Sequence, residues 1–153
     1  MYNLIKDEGT PWGVGTVAIV TGLGARLIYQ SLKEDDNIKD KLIQIETFFT
    51  LCDEDTRLFT NYINHQKTDI NSAAVKLLNL ILATLEKIFA KKCDVKNNLM
   101  VDFNMGIEYM VTSAYQLLAI FKANNYQDLS AGEIADFVYR LKEIENLKLR
   151  WEN

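Results

Sequence analysis

Proline occurs once in these 153 residues, at Pro11, and glycine is concentrated at the beginning of the chain. Five of the seven glycines precede residue 25, which leaves only Gly106 and Gly132 for the rest of the sequence. A fold made of many strands needs a turn signal about every ten residues, usually glycine, proline, asparagine or aspartate. The scarcity of these breaks argues against an all-β fold and predicts long helices with few interruptions.

Cysteine and histidine are also scarce, since the chain has only Cys52, Cys93 and His65. Their separations fit no pattern of metal ligands, so no metal site is expected. Both cysteines lie within helical patterns and no secretory signal precedes them, so we expect reduced thiols in a cytoplasmic protein. The net charge of −4 argues against nucleic acid as a partner, because a nucleic-acid binder normally presents a basic face.

No uncharged stretch is long enough to predict a transmembrane helix. The longest, from Gly9 to Ala25, ends at Arg26 and is shorter than the ~20 apolar residues that cross a bilayer. The length and the 48% hydrophobic content are typical of one globular domain. We therefore expect a single domain over residues 1–153, with no membrane partner.

Apolar residues recur every three or four positions through most of the chain, which is the spacing of one face of an α-helix. The pattern predicts an all-α fold of about five helices, antiparallel because their connections are short. The first helix, from near Val14 to near Lys33, is apolar on almost every side and is expected to be buried among the others. Its small residues Gly22, Gly24 and Ala25 would let a neighbouring backbone approach closely.

The four later helices each show a stripe of residues expected to face inward. Their approximate predicted boundaries are 34–63, 70–92, 100–124 and 130–147. Ser130 and Glu133 form a capping box that begins the last of them. The expected inward residues are Ile38, Leu42, Ile45, Phe49, Cys52, Thr56, Phe59 and Ile63; Ile70, Ala74, Leu77, Ile81, Leu85 and Ile88; Met100, Phe103, Ile107, Met110, Ala114, Leu117 and Phe121; and Ile134, Phe137, Val138, Leu141, Ile144 and Leu147.

Three polar segments depart from this pattern and are candidates for a functional site. The first is the loop around Gly13, Gly15 and Thr16, because backbone N–H groups at a helix N-terminus attract anions. Its glycine spacing superficially matches a dinucleotide-binding fingerprint, but no strand precedes it, so we reject that function. On its own, the segment is explained by a loop that begins a buried helix.

The other two segments contain carboxylates. Asp55 borders the apolar stripe of the second helix, where partial burial would raise the pKa of its carboxyl group and suit it to proton transfer. A solvated acid is the ordinary alternative. Asp102 lies in the first turn of the fourth helix, where the helix dipole alone favours an acid. Asn125 follows that helix, where a C-cap explains it.

The loop before the first helix resembles the opening motif P-A-P-G-G-G-S-V-A-A of the cyclodeaminase/cyclohydrolase family of folate enzymes. Residues 10–19 retain Gly13, Gly15 and a hydroxyl group at Thr16, while Val14 replaces the central glycine. This family includes the cyclodeaminase domain of formiminotransferase-cyclodeaminase and the bacterial methenyltetrahydrofolate cyclohydrolases.

Three further segments are similar to motifs of the same family, and they occur in the same order. Residues 55–59 resemble D-A-x-A-F, residues 97–102 resemble G-N-x-x-x-x-S-D, and residues 124–129 resemble I-N-L-x-x-L. The resemblance covers nearly the whole chain and indicates a short, divergent member of the family.

The resemblance implies a folate one-carbon enzyme. Family members convert 5-formimidoyltetrahydrofolate to 5,10-methenyltetrahydrofolate with release of ammonia, or hydrolyse the methenyl product. By resemblance, Asp55 and Asp102 are the catalytic pair, with acid and base roles unassigned. The implied substrate contacts are Gly13, Gly15, Thr16 and Asn125. The family needs no metal or other cofactor, and it implies a homodimer with the folate in a groove near the interface.

Two other interpretations stay open beside the enzyme. Val14 and the short connection after the second helix favour a relative that has lost catalysis and keeps a ligand-binding or regulatory role. A helical homo-oligomeric interaction protein also fits the sequence. The enzyme hypothesis requires Asp55, Asp102 and Asn125 to meet in one pocket beside the loop that ends at Thr16.

Overall fold

The computed structural model describes residues 13–33, 36–52, 70–91, 93–126 and 129–152. They form five helices: α1 Val14–Ser31, α2 Asp36–Cys52, α3 Ile70–Lys91, α4 Met100–Ala123 and α5 Ala131–Glu152. A short 3-10 turn, Asn97–Leu99, precedes α4. The described residues contain no strand, which confirms the predicted all-α bundle. None of the described helices is long and apolar enough to span a bilayer.

The described helix ends lie within two residues of the predicted positions, except that α5 continues five residues beyond 147, to Glu152. The capping box of α5 is confirmed: the Ser130 N–H donates to Glu133 Oε1 at 3.2 Å, and the Glu133 N–H donates to Ser130 Oγ at 3.1 Å. α1 ends at Ser31, and the next N–H, of Leu32, donates to the carbonyl of Ile28. The predicted continuation of the second helix beyond Cys52 lies outside the described residues.

One cluster of buried apolar side chains joins all five helices. The predicted stripe of α3 is confirmed, since Leu77, Ile81 and Leu85 are fully buried. Two residues expected in the core are exposed instead, Met100 at 42% and Val138 at 38%. Met100 is the first residue of α4, whose buried stripe begins only at its second turn. Val138 lies outside the narrow stripe through which α5 packs.

α1 and α4 run antiparallel and make the most extensive contact in the bundle. Leu32, just after α1, forms an isolated antiparallel bridge with Val95, just before α4. In the middle of α1, Gly24 faces Gly106 and Tyr109. A Cβ built on Gly24 would lie 2.8 Å from the Gly106 carbonyl oxygen, and one on Gly106 would lie 2.7 Å from that of Gly24. The predicted close approach at Gly24 is confirmed.

α1 is not enclosed on every side as expected. Val17 and Ile28 are fully buried, but Leu23 is 40% exposed, and Thr16 and Gln30, seven residues before and after it, are exposed as well. The physical reason is that α1 packs mainly against two neighbours, α4 and α2. Two neighbours cannot cover the whole circumference of a helix, so one stripe of α1 stays outside.

α5 packs on α3 and is held by two ion pairs to different helices. Arg140 Nη2 lies 2.6 Å from Glu86 Oε1 of α3. Lys148 Nζ donates to a carboxylate oxygen of Glu108 on α4. Both pairs are partly buried, so α5 is oriented across the outer sides of α3 and α4.

We expect Gly24→Ala to destabilise the protein by about 1–3 kcal/mol, because the added methyl group would overlap a backbone oxygen of α4. Urea unfolding followed by circular dichroism would measure this change. Gly132→Ala is the matched control, since a Cβ there would meet only Ser130 Oγ at 3.9 Å. Alanine is the better helix former, so the control should be as stable as the wild type or more stable. A fully stable Gly24→Ala protein would contradict the backbone contact.

Candidate functional site

The loop predicted to hold a ligand forms the beginning of α1. Gly13 is the N-cap, with an extended backbone (φ −70°, ψ 157°), and its carbonyl accepts the N–H of Val17 at 3.1 Å. Gly13 has no side chain with which to cap this end of the helix, and within the described part of the chain a Cβ on Gly13 would meet nothing within 4 Å. Gly15 and Thr16 lie in the first turn, and the Thr16 side chain is exposed. Among the residues that the structure describes, packing therefore does not require a glycine at position 13, and the N-cap residue offers no side chain to the first-turn N–H groups.

The structure describes one of the two predicted catalytic carboxylates. Asp102 is half-buried in the first turn of α4, where its charge also complements the helix dipole. Asp55 lies outside the described residues. The predicted catalytic pair thus stays a prediction.

Asn125 has the backbone role that a C-cap predicts. Its φ is 58°, and that of Tyr126 is 53°. The Asn125 N–H donates to the carbonyl of Lys122 at 3.0 Å, and the Tyr126 N–H donates to the carbonyl of Phe121 at 2.8 Å. These two bonds satisfy carbonyl groups that the end of α4 would otherwise leave unpaired, as in a Schellman motif. The side chain of Asn125 is exposed.

One chain does not bring the predicted site residues together. Asp102 begins α4 and Asn125 follows its end, so about 35 Å of helix separates them. Because α1 is antiparallel to α4, Gly13 and Thr16 lie toward the Asn125 end, whereas Asp102 lies toward the last turn of α1. The expected convergence on one pocket is therefore not met within a single chain, because α4 is one continuous helix.

Thr16 and Asp102 nevertheless lie on the same side of the α1/α4 pair. Successive residues of a helix are about 100° apart around its axis. When two antiparallel helices are in contact, residues that are rotated by the same angle and in the same sense away from the contact lie on the same side of the pair. On α1 we measure the angle around the helix axis from Gly24, and on α4 we measure it from Gly106. Residues about 40–100° from these glycines, in the same rotational sense on both helices, lie on that side. We give the name α1/α4 face to the exposed and half-buried residues of that side that lie alongside α1, namely Thr16, Val20, Leu23, Leu27, Asp102, Met105 and Tyr109.

The centre of the α1/α4 face is apolar, and its two ends are polar. Leu23 and Met105 are 40% and 41% exposed, and Val20, Leu27 and Tyr109 are half-buried. The register of α1 and α4 puts Leu23 and Met105 at nearly the same level, and exposed apolar side chains that lie together can contribute to an interface. Thr16 lies at one end of this surface and Asp102 at the other, about 20 Å apart along the helices.

Sequence reasoning missed two buried polar side chains on the same side of α4, Thr112 and Gln116. The Thr112 hydroxyl donates to the Glu108 carbonyl at 2.6 Å, which satisfies it within the helix. The register of α1 and α4 puts Gln116 at the level of Thr16. The signal was present in the sequence, because these polar residues interrupt an otherwise apolar stretch of α4.

The described ranges contain no group of three or more histidine, cysteine, aspartate or glutamate residues that could hold a metal ion. No protein-family model, curated protein or solved structure matches this chain. The α1/α4 face is therefore the feature of the described chain that bears on function.

Substitutions of Asn125 test whether its left-handed backbone gives this residue a structural role. Asn125→Ala should lower the free energy of unfolding by about 1 kcal/mol, because alanine tolerates a φ of 58° poorly, whereas Asn125→Gly should leave stability unchanged. Asn124→Ala is the control, since Asn124 has a negative φ of −93°. Chemical denaturation of the three variants would test this, and equal stability of the two alanine variants would contradict it.

Proposed function

We propose that this chain forms a homodimer through the α1/α4 face and binds a reduced folate at two equivalent sites shared between subunits. The observation that carries the proposal is the arrangement of this face, with candidate ligand contacts at one end, a candidate catalytic acid at the other and an apolar surface between them. The resemblance to the cyclodeaminase/cyclohydrolase family supplies the class of ligand.

A two-fold axis through the middle of the face would unite the two ends. The register of α1 and α4 puts Leu23 and Tyr109 about midway between Thr16 and Asp102. Rotation about an axis that passes through this point, lies in the plane of the interface and is perpendicular to the helices sets the Asp102 end of one chain against the Thr16 end of the other. Because a two-fold interface uses the same surface twice, it would form two identical sites.

The apolar centre supplies a reason for such a dimer to form. Leu23 and Met105 would be removed from water by the same residues of the second chain. Each is about 40% exposed, so covering it would contribute less than half of the about 1.5–3 kcal/mol that full burial of a large apolar side chain contributes. The flanking residues Val20, Leu27 and Tyr109 would add to this contact. The polar ends would then be brought into partly enclosed clefts at the edges of the interface.

The proposed reaction is the closure of the folate ring in 5-formimidoyltetrahydrofolate. N10 attacks the formimino carbon and loses its proton. The formimino nitrogen gains two protons, one replacing that lost from N10 and one supplied by an acid, and its bond to the carbon breaks so that it leaves as ammonia. The carbon stays bonded to N5 and N10 as the cationic methenyl bridge. Asp102 is a candidate for one of these proton transfers, and Asp55 is assigned the other by resemblance alone. The first-turn N–H groups of α1, Thr16 and Asn125 would hold polar groups of the ligand.

A homo-oligomeric interaction protein without catalysis is the second candidate, and the same apolar surface favours it. Val14, which puts a side chain in the glycine loop, favours a relative that has lost the reaction. The two candidates share the dimer and differ in the ligand. Binding of 5-formyltetrahydrofolate, a stable reduced folate, therefore separates them, and ammonia release from 5-formimidoyltetrahydrofolate separates an enzyme from a binding protein.

Leu23→Lys should convert the dimer to a monomer, because it buries two charges at the symmetry axis. Light scattering after size exclusion would report the mass relative to the 17.6 kDa chain. Val138→Lys is the matched control, since Val138 has a similar exposure but lies on α5, and this variant should stay dimeric. A monomeric wild-type protein, or a Leu23→Lys protein that stays dimeric, would contradict the interface.

Mixing two defective variants tests whether the sites are shared. Asp102→Asn and Thr16→Val should each lose ammonia release as homodimers, because every site would contain one altered residue. Unfolded and refolded together, they should recover about a quarter of the wild-type sites, since half the dimers are mixed and each mixed dimer has one intact site.

Calorimetry with 5-formyltetrahydrofolate would count the sites if the protein binds folate without turnover. Two inactive parents whose mixture shows no recovery would contradict a shared site. Activity in the Asp102→Asn homodimer would contradict the role of that carboxylate.

A further inference from the structure

Val101 is the most exposed of the large apolar side chains in the described residues, at 73%. It lies in the first turn of α4, immediately before Asp102. Around the axis of α4 it is rotated about 140° from Gly106, so it lies at the outer edge of the α1/α4 face rather than within it. One exposed valine on its own is ordinary for a protein surface, but Val101 is not isolated.

Met105 extends the apolar surface that begins at Val101. The two residues are four positions apart, so they are neighbours on the helix, with Cβ atoms about 5–6 Å apart. Asp102, three positions before Met105, is its neighbour as well. Around the axis of α4, Asp102 lies nearest to α1, Met105 comes next and Val101 lies farthest out. The half-buried Asp102 therefore has an exposed apolar surface on its outer side, which we call the Val101/Met105 surface.

The chemistry of the Val101/Met105 surface suits an aromatic ring. A valine side chain has no polar atom, and the thioether of methionine is only a weak hydrogen-bond acceptor. A part of a ligand that needs several hydrogen bonds would lose them on this surface. An aromatic ring loses little, and methionine sulfur makes favourable contacts with aromatic rings.

The substrate of the proposed reaction has such a ring next to a reacting atom. N10 of a reduced folate is bonded directly to the aminobenzoyl ring, whereas the pterin carries hydrogen-bond donors and acceptors along its edge. A carboxylate that takes part in proton transfer at N10 must lie about 2.6–3.2 Å from it, directly or through one water. The aminobenzoyl ring would then lie beside the residues that flank the carboxylate.

We infer that the Val101/Met105 surface binds the aminobenzoyl ring of the folate, an assignment that rests on the proposed function. It places N10 beside Asp102 and directs the pterin toward the polar Thr16 end of the second chain. One chain then supplies the apolar contact and the other supplies the polar contacts. Val101 becomes a specificity-determining residue, because it favours folates over pterins that lack the ring.

Two ligands test this assignment: 5-formyltetrahydrofolate, and 5-formyl-6-methyltetrahydropterin, which has the same pterin without the aminobenzoyl arm. In calorimetry, Val101→Ala should weaken binding of the folate about five- to tenfold, because it removes both methyl groups from the contact with the ring. Its affinity for the pterin should equal that of the wild type. Alanine is the better helix former, so the variant should be as stable as the wild type or more stable.

Val138→Ala is the matched control, since it makes the same change at an exposed valine of α5. It should bind both ligands as the wild type does, and light scattering should give one mass for all three proteins. Wild-type affinity of Val101→Ala for the folate, an equal loss for both ligands, or a lower mass of this variant would overturn the assignment while leaving folate binding itself intact. A wild-type protein that does not bind the folate would instead contradict the proposed function, and the assignment with it.

Discussion

The contact between the backbones of α1 and α4 at Gly24 and Gly106 sets the arrangement of the rest of the bundle. Each glycine lies against the carbonyl oxygen of the other, at a distance where no β-carbon fits. This contact fixes the antiparallel register of the two helices. It also decides which side of α1 turns toward α2 and which side is left outside. A side chain at either position would push the two helices apart along their whole length, because helices move as rigid elements.

The same register explains why the candidate site is divided. In an antiparallel pair, the beginning of one helix lies beside the end of the other, so the first turn of α1 lies near the end of α4. Asp102, in the first turn of α4, must then lie near the end of α1. A helix of this length does not bend back on itself, so residues at its two ends cannot meet within one chain. Any site that uses both ends needs a second copy of the chain.

The parts of the fold that depend on local chemistry were predictable from the sequence. The stripe of α3, the Ser130 capping box and the left-handed backbone at Asn125 each follow from residues within a few positions of one another. The orientation of α1 was not predictable, because a helix that is apolar on almost every side has no pattern to show which side is left exposed. The packing role of Gly106 was not predicted either, because this role is apparent only from the contact of Gly106 with Gly24. The separation of Asp102 from Asn125 follows from helix length, yet the order of the motifs along the chain carries no such information.

The outer surfaces of α1 and α5 differ in a way that bears on assembly. α5 presents Lys142, Glu143 and Arg150 to water, so its exposed apolar residues are interspersed with charges. The exposed stripe of α1 has Leu23 at its centre and the uncharged residues Thr16 and Gln30 one stripe repeat away on either side, with the half-buried Arg26 one turn after Leu23. On α4, Met105 and Tyr109 continue this apolar surface. Interspersed charges make a surface that stays in water more soluble. A surface that is covered by another chain forms a more stable contact when it lacks charged residues. The charge distribution therefore differs between the outer surface of α5 and the α1/α4 face, and this difference supports the dimer proposed for that face.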